Sequence, residues 1–276
     1  MTDLYCVMGN PVEHSKSPWI HARFAELTGQ DLRYTKRLIP LGGFAQAVQA
    51  FRAEGGKGCN VTVPFKFEAA SLADRLSARA QLAQACNTLR FDAGEVFADN
   101  TDGVGLVSDI HRNAGFDLAG RDVLLIGAGG AAAGVLGPLI EARPARIVVA
   151  NRTLPKAAAL VERHAALARK HDLALEAAPL DPLPGSFDAV INATASSLAG
   201  GAVPVPGHAL RPGALACDMM YGPAAQNFLI WAREHGAQPR DGLGMLVEQA
   251  AEAFLVWRGV RPPSARVLSE LRTLQG

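Results

Sequence analysis

Strand and helix patterns alternate along nearly all of these 276 residues, and the alternation predicts an α/β protein of two domains. Three observations carry the prediction. At Val123-Leu-Leu-Ile-Gly127-Ala-Gly129-Gly130-Ala-Ala132 a fully apolar strand pattern runs through glycines into a helix whose Val135, Leu136, Leu139 and Ile140 share one face. Further βα units follow it down the chain. Ahead of it, Asp99-Asn100-Thr101-Asp102-Gly103 reads as a joint between domains, since the glycine-loop unit starts only at Arg121.

The elements are justified in order. Tyr5–Gly9 is a short strand entering the polar loop Asn10 to Ser17; Ser17 before Pro18 reads as N-cap and first helical residue. Ile20, Phe24 and Leu27 line that helix, and Gly29 closes it. Arg33 to Ile39 is a second strand, and Phe44, Val48 and Phe51 mark the next helix. A β-branched strand around Asn60, Val61 and Thr62 leads to a helix starting near Pro64. Residues 87–100 alternate as a hairpin turning at 92–95, then a helix carries Val104, Val107, Ile110 and His111 to Gly115. After the glycine loop come strands at 146–150, 173–177, 188–192 and 214–218, with helices at 155–170 and 224–235. The segment around Pro204–Pro212 reads as loop. A long helix, 242–257, presents Leu246, Ala250, Ala253, Phe254 and Trp257 on one face, and a last one runs from Pro262 to Leu274.

Composition sets limits. The chain is 49% hydrophobic, ample for a core, and a net charge of +1 argues for neither nucleic acid nor an anionic membrane as partner. No run approaches the ~20 apolar residues that span a bilayer, and the amino terminus lacks the pattern of a signal peptide. Cys6, Cys59, Cys86 and Cys217 are scattered without a C-x-x-C pair, as reduced core thiols would be; no metal-ligand set stands out. The expected setting is cytoplasmic.

Strand, glycine turn and helix together make a dinucleotide fingerprint. Gly127 makes the tight turn, Gly129 lets backbone approach a pyrophosphate at the helix N-terminus, and Ala132 permits close helix packing. The next strand ends in Asn151-Arg152-Thr153, where NAD-selective sites carry an acid for the ribose hydroxyl. Here an arginine stands instead, with Lys156 behind it. A guanidinium can grip a 2′-phosphate that a carboxylate would repel, so the expected cofactor is NADP. Asn192, Thr194, Ser196 and Ser197 are small polar residues suited to lining the same crevice.

Other candidates sit at strand ends. Ser15 and Ser17, with His14 and Lys16, suit a small anionic or polyhydroxylated ligand, although Ser17 also reads as a plain cap. Lys66 falls in the first turn of a helix, where the dipole disfavours a cation; it points to solvent or has a job. Asp102 reads as an acidic helix start that satisfies amides and the dipole, at the joint between the domains.

Eight strings in one order give the chain a resemblance to shikimate dehydrogenases over essentially its whole length. They are Gly9–Pro18, Asn60–Lys66, Asn87-Thr88, Asp99–Gly105, Gly127–Ala131, Asn151–Thr153, Asp218–Tyr221 and Gly242–Gln249. The resemblance implies a substrate-binding domain of residues 1–102 and 242–276, with a Rossmann-type NADP domain, 103–241, inserted before the C-terminal helices. It implies reversible NADP-linked oxidation of shikimate to 3-dehydroshikimate, a step toward chorismate and the aromatic amino acids, by a monomer or homodimer. Carried over by motif, Ser15, Ser17, Asn60, Thr62, Asn87, Tyr221 and Gln249 hold substrate, and Lys66 with Asp102 form the proton-transfer pair. Gly127, Ala128, Gly129, Gly130, Ala131, Asn151, Arg152, Thr153, Lys156, Met219 and Gly242 touch the cofactor. Three departures from the family pattern stand out: Lys156 in place of a second arginine, Gln84 where a glycine is common, and Ala132-Ala133 in place of larger polar residues. A relative with wider quinate and NAD use, and a ligand-binding regulator without turnover, are the alternatives.

Overall fold

A computed structural model describes residues 2–92, 94–194 and 203–274. The chain divides into two compact units, Met1–Gly105 with Val247–Gly276, and Leu106–Leu246. The junctions fall after 105 and before 247, a few residues later in the chain than the expected 102 and 242.

The first unit contains β1 (Asp3–Gly9), α1 (Ser17–Thr28), β2 (Leu32–Leu38), α2 (Phe44–Ala53), β3 (Gly56–Val61), α3 (Lys66–Leu72), β4 (Arg75–Leu76), α4 (Ala78–Ala83), β5 (Thr88–Phe91) and β6 (Val96–Asp99). Its sheet has the order β2-β1-β3-β5-β6-β4. β1 pairs in parallel with both neighbours, and the β5–β6 hairpin joins antiparallel. Side chains alternate across the central strand, as the two-residue period requires. Cys6 and Met8 face a core of Phe44, Phe51, Cys59, Phe65 and Leu89, while Tyr5 and Val7 face Val12 and Tyr34 on the other side.

From Asp102 the chain runs through α5 (Asp102–Ser108) into the second unit. There it forms β7 (Asp122–Ile126), α6 (Gly130–Glu141), β8 (Arg146–Ala150), α7 (Leu154–Lys170), β9 (Ala174–Ala178), β10 (Phe187–Asn192), β11 (Leu210–Asp218), α8 (Gln226–Glu234) and β12 (Gln238–Arg240). The sheet is wholly parallel, in the order β12-β11-β10-β7-β8-β9. Its strand order reverses between β7 and β10, and in such sheets ligands bind at the C-terminal ends of the strands at that point. Val123 to Ile126 are fully buried, which explains the unbroken apolar run. The chain returns through α9 (Leu243–Arg258) and ends in α10 (Ser264–Thr273), which the Arg23–Glu270 ion pair ties to α1 through two hydrogen bonds of 2.7 and 2.9 Å.

Several expectations need correction. α1 begins at Ser17, so Lys16 is the N-cap; the Ser15 hydroxyl accepts the Ser17 backbone N–H. The helix expected to run to Gly115 stays α-helical only to Ser108, then widens into a π-helical turn, Asp109–Asn113, where the Ala114 N–H reaches the Asp109 carbonyl. Asp109 is itself held by Arg240 at 2.6 Å and 2.5 Å. β11 starts at Leu210 inside the expected loop, with a register shift between Phe187 and Ala189 on its neighbour taking up the irregularity at Pro212. The helix expected from Ala224 has a 3-10 first turn, Gly222–Ala225. The very short elements β4, α4 and β12 carried too little periodicity to anticipate.

Candidate active site

The first unit gathers its polar side chains at one place. Lys66 opens α3 and Asp102 opens α5, and the lysine donates from Nζ to Asp102 Oδ2 at 2.5 Å. Both side chains are largely withdrawn from solvent, at 15% and 8% exposure. Neighbouring backbone fixes the pair. The Cys86 N–H donates to the Lys66 carbonyl at 2.9 Å, and the Asp102 N–H donates to Asn100 Oδ1 at 3.1 Å. The other carboxylate oxygen, Oδ1, accepts from Asn87 Nδ2 at 2.8 Å. A lysine in a first helical turn therefore has its countercharge, which answers the dipole argument.

Asn87 is the hub. Its Nδ2 also lies within 2.9 Å of Thr101 Oγ1 and 3.1 Å of Gln249 Oε1, while its Oδ1 accepts from Thr101 N and from the Thr88 hydroxyl. Asn60 lies beside it, donating from Nδ2 to the Asn87 carbonyl and to Thr88 Oγ1, both at 3.1 Å. Gly105 lets this packing close: a Cβ there would lie 2.6 Å from the Gln249 backbone nitrogen. Thr62 is half-buried at the end of β3, and only a glycine at position 9 clears its methyl. Ser17 is buried and Ser15 half-buried, with the Ser15 hydroxyl donating to Ser17 Oγ at 3.2 Å. His14 is exposed.

The two acids of the Asp99–Asp102 run have separate work. Asp99 takes Arg79 in a fork at 2.7 and 2.6 Å and caps Asn100, so it holds the hairpin to α4. Only Asp102 meets the lysine. Sequence reasoning missed Tyr34, Thr88 and Thr101 as members of this network. The signal for Tyr34 was its place on the inward face of β2; for Thr88 and Thr101 it was adjacency to Asn87 and Asp102.

In the second unit, Gly127 has φ +111, and a Cβ would meet Ala193 and Thr194 at 3.2–3.3 Å, so the turn after β7 demands glycine. Gly129 is exposed and the direction a Cβ would take is open, leaving room against the N-terminus of α6. Ala128, Gly130 and Ala131 are half-buried beside it, and Ala132 is fully buried against the sheet. Arg152, Thr153 and Lys156 stand exposed where β8 passes into α7, and Asn151 closes that turn by donating to the Thr153 carbonyl at 2.9 Å. Met219 and Tyr221 follow β11 and are half-buried, and buried Gly242 packs on the Met219 carbonyl, which leaves no space for a side chain. Ser196 and Ser197 lie outside the described residues. These groups fit a dinucleotide: a strained glycine turn, open amides at a helix start, and two cations with no acid at the ribose position.

A curated relative from Acidovorax sp. (strain JS42), a shikimate dehydrogenase (NADP(+)), is 69% identical over 270 residues, covering 98% of this chain and 96% of its own. The chain belongs to the shikimate dehydrogenase family. Family models agree piece by piece: the shikimate dehydrogenase substrate binding domain matches residues 7–89, shikimate/quinate 5-dehydrogenase matches 109–199, and the shikimate 5'-dehydrogenase C-terminal domain matches 242–272. Solved structures share the fold. An Ael1 enzyme from Pseudomonas putida superposes with a TM-score of 0.88 at 46% identity over 98% of both chains. The shikimate 5-dehydrogenase of Thermus thermophilus, in complex with NADP(H) and shikimate, gives 0.86 at 31% identity over 99% of both. Among the described residues no helix is long and apolar enough to cross a membrane, and no cluster of acids, histidines and cysteines could hold a metal ion.

Proposed function

We propose that this chain catalyses the NADP-linked, reversible oxidation of shikimate to 3-dehydroshikimate, on the way to chorismate and the aromatic amino acids. The observation that carries the reading is the Lys66–Asp102 pair at 2.5 Å, joined through Asn87 to Gln249. Oxidising a secondary alcohol removes a hydride from carbon and a proton from oxygen. Bound NADP supplies the hydride acceptor. The proton goes to the Lys66–Asp102 pair, whose oxygen and nitrogen atoms share one hydrogen bond and act as one acid–base unit. Asn87, which donates to the Asp102 carboxylate, and Gln249, which accepts from Asn87, orient the alcohol, while Ser15, Ser17, Asn60 and Thr62 hold the substrate carboxylate and remaining hydroxyls, with Tyr221 a further contact. In the second unit Gly127 to Ala131 cradle pyrophosphate, and Asn151 to Thr153, with Lys156, grip the 2′-phosphate; Met219 and Gly242 complete the cofactor contacts. The first unit, 1–105 with 247–276, chiefly serves substrate and the second, 106–246, chiefly serves NADP. Four free, buried cysteines support a reducing, cytoplasmic setting.

The test is direct. Mixing protein, shikimate and NADP should raise absorbance in the reduced-nicotinamide band, and the same protein with quinate and NAD should turn over far more slowly. No absorbance change with shikimate overturns the reading, and faster turnover with quinate and NAD reassigns the substrate.

A further inference from the structure

Asn192 and Asp218 end the neighbouring parallel strands β10 and β11, opposite one another in register, and each is only 1% exposed. Asn192 reads in the sequence as a residue lining the crevice, but its side chain is buried and tied on both sides. Its Oδ1 accepts the Thr194 backbone N–H at 3.1 Å and the Thr194 hydroxyl at 2.8 Å. Its Nδ2 donates to Asp218 Oδ2 at 3.2 Å, and Asp218 Oδ1 accepts the Met220 N–H at 2.9 Å. A backbone N–H can only donate and a carboxylate only accept, so the amide has one orientation. Turned over, it would set donor against donor and acceptor against acceptor.

The two arms of the amide hold two separate segments. On one side Thr194 packs on the Gly127 turn, where a Cβ on the glycine would lie 3.2 Å from the threonine methyl, and the Ala193 N–H donates to the Ile126 carbonyl at 2.9 Å. On the other, the Met219 N–H donates to the Asn192 carbonyl at 3.0 Å, and the Gly242 N–H to the Met220 carbonyl at 2.8 Å. Asn192 thus joins the glycine turn after β7 to the Met219–Gly242 corner after β11. The sheet order β11-β10-β7-β8 decides which half of a dinucleotide belongs there. Arg152 and Lys156 follow β8 and take the adenosine side. A pyrophosphate at the turn after β7 then leaves the nicotinamide half over the ends of β10 and β11.

We propose that Asn192 is a positioning residue for the nicotinamide half of NADP: its amide, anchored on the Asp218 carboxylate, sets where Thr194 and Met219 stand. The proposal rests on the reading of the second unit's strand ends as the cofactor site. Without the amide, Asp218 Oδ2 loses a buried donor, and Thr194 loses an acceptor that holds both its backbone and its hydroxyl. Arg152, Thr153 and Lys156 keep their places.

The experiment titrates the ligand-free protein by calorimetry with NADP and with 2′,5′-ADP, which carries the same 2′-phosphate but no nicotinamide, and follows melting temperature in parallel. Asn192→Ala should raise Kd for NADP roughly tenfold while Kd for 2′,5′-ADP stays within about twofold, a split that general loosening of the second unit does not produce. The exchange variant, Asn192→Asp with Asp218→Asn, trades amide for carboxylate and can still make all four side-chain bonds. It should return Kd for NADP to within about threefold of the parent. Should Asn192→Ala fail to fold, Thr194→Val removes the hydroxyl bond alone and should raise Kd for NADP about threefold. If Asn192→Ala raises both dissociation constants alike, or neither, or if the exchange variant does not recover affinity, the role of Asn192 is overturned and the cofactor site stands. If the parent binds neither ligand, the reading of the second unit falls and the proposal falls with it.

Discussion

Asn60, Asn87, Thr88, Thr101 and Asp102 are nearly withdrawn from solvent and satisfy their hydrogen bonds among themselves, whereas Gly129, Arg152, Thr153 and Lys156 stand in the open. The first group belongs to one unit of the chain and the second to the other. They represent two ways of building a polar site. A buried network is oriented before any ligand arrives, at the cost of desolvating every member. An exposed turn leaves amides and cations hydrated, and the ligand must complete the arrangement. Substitutions in the first region should therefore change the chemistry, and those in the second should change cofactor affinity.

The largest expected effect tests that division at its centre. Lys66→Ala should slow turnover with shikimate by roughly 10²–10⁴-fold, the ordinary worth of a positioned acid–base group. Binding of NADP, measured by titration, should hardly move. Near-normal turnover would take Lys66 out of proton transfer; a matching loss of NADP affinity would break the contrast between the two regions.

Arg152→Ala probes the other side. A charge-assisted bond to phosphate contributes about 1.5–3 kcal/mol, so KM for NADP should rise about 10–100-fold while NAD is used as before. Equal losses for both cofactors would mean that the 2′-phosphate is held elsewhere.

Burial should also show in the pH dependence of stability. His21 is fully buried beneath Tyr34, and burial pushes its pKa down to about 3, with Asn60 offsetting part of the effect. Unfolded, the imidazole titrates near 6.5. Between those values the unfolded chain takes up a proton that the folded chain refuses, so stability falls as pH drops below 6.5, by up to about 1.4 kcal/mol per pH unit. His21→Phe removes that dependence, and denaturant melts at pH 7 and pH 5 should differ by about 2 kcal/mol less in the variant. An unchanged difference would show that His21 gains its proton without unfolding.

The same contrast explains what could be read from the sequence. The glycine loop was legible because its parts are adjacent: strand, turn and helix lie within residues 122–141, and each leaves its own pattern. Arg152 was legible because the acid it replaces would fall at a known offset. The buried network brings together residues far apart in the chain. Lys66 and Asp102 are 36 positions apart, with β4, α4 and a hairpin between them, and no local pattern distinguishes their partnership from a surface cation and a helix cap. Asp99 and Asp102 look alike in sequence; Arg79 claims one of them only once α4, itself six residues long, has formed. Tyr34 sits in a strand of arginines, lysine and threonine, where one inward aromatic reads as ordinary packing. Family resemblance supplied the pair but left Tyr34 unassigned.

The smallest effect concerns the turn that carries Asn87. Gln84 ends α4 with φ 51 and ψ 26, a left-handed conformation that costs a side-chain-bearing residue roughly 1–2 kcal/mol. The departure from the family's glycine is thus strained, yet the site beyond it keeps its form because other groups pin the segment. The Asn100 side chain donates to the Ala85 carbonyl at 2.9 Å, and the Cys86 N–H to the Lys66 carbonyl at 2.9 Å. Gln84→Gly relieves the strain but adds freedom to the unfolded chain, which offsets about 0.5–1 kcal/mol. The net gain should be on the order of 0.5 kcal/mol, seen as a melting temperature higher by about 1–2 °C, with kcat and KM for shikimate unchanged. A lower melting temperature would mean that the glutamine side chain contributes more than its backbone costs; altered KM would mean that position 84, and not Asn100 with Lys66, sets where Asn87 stands.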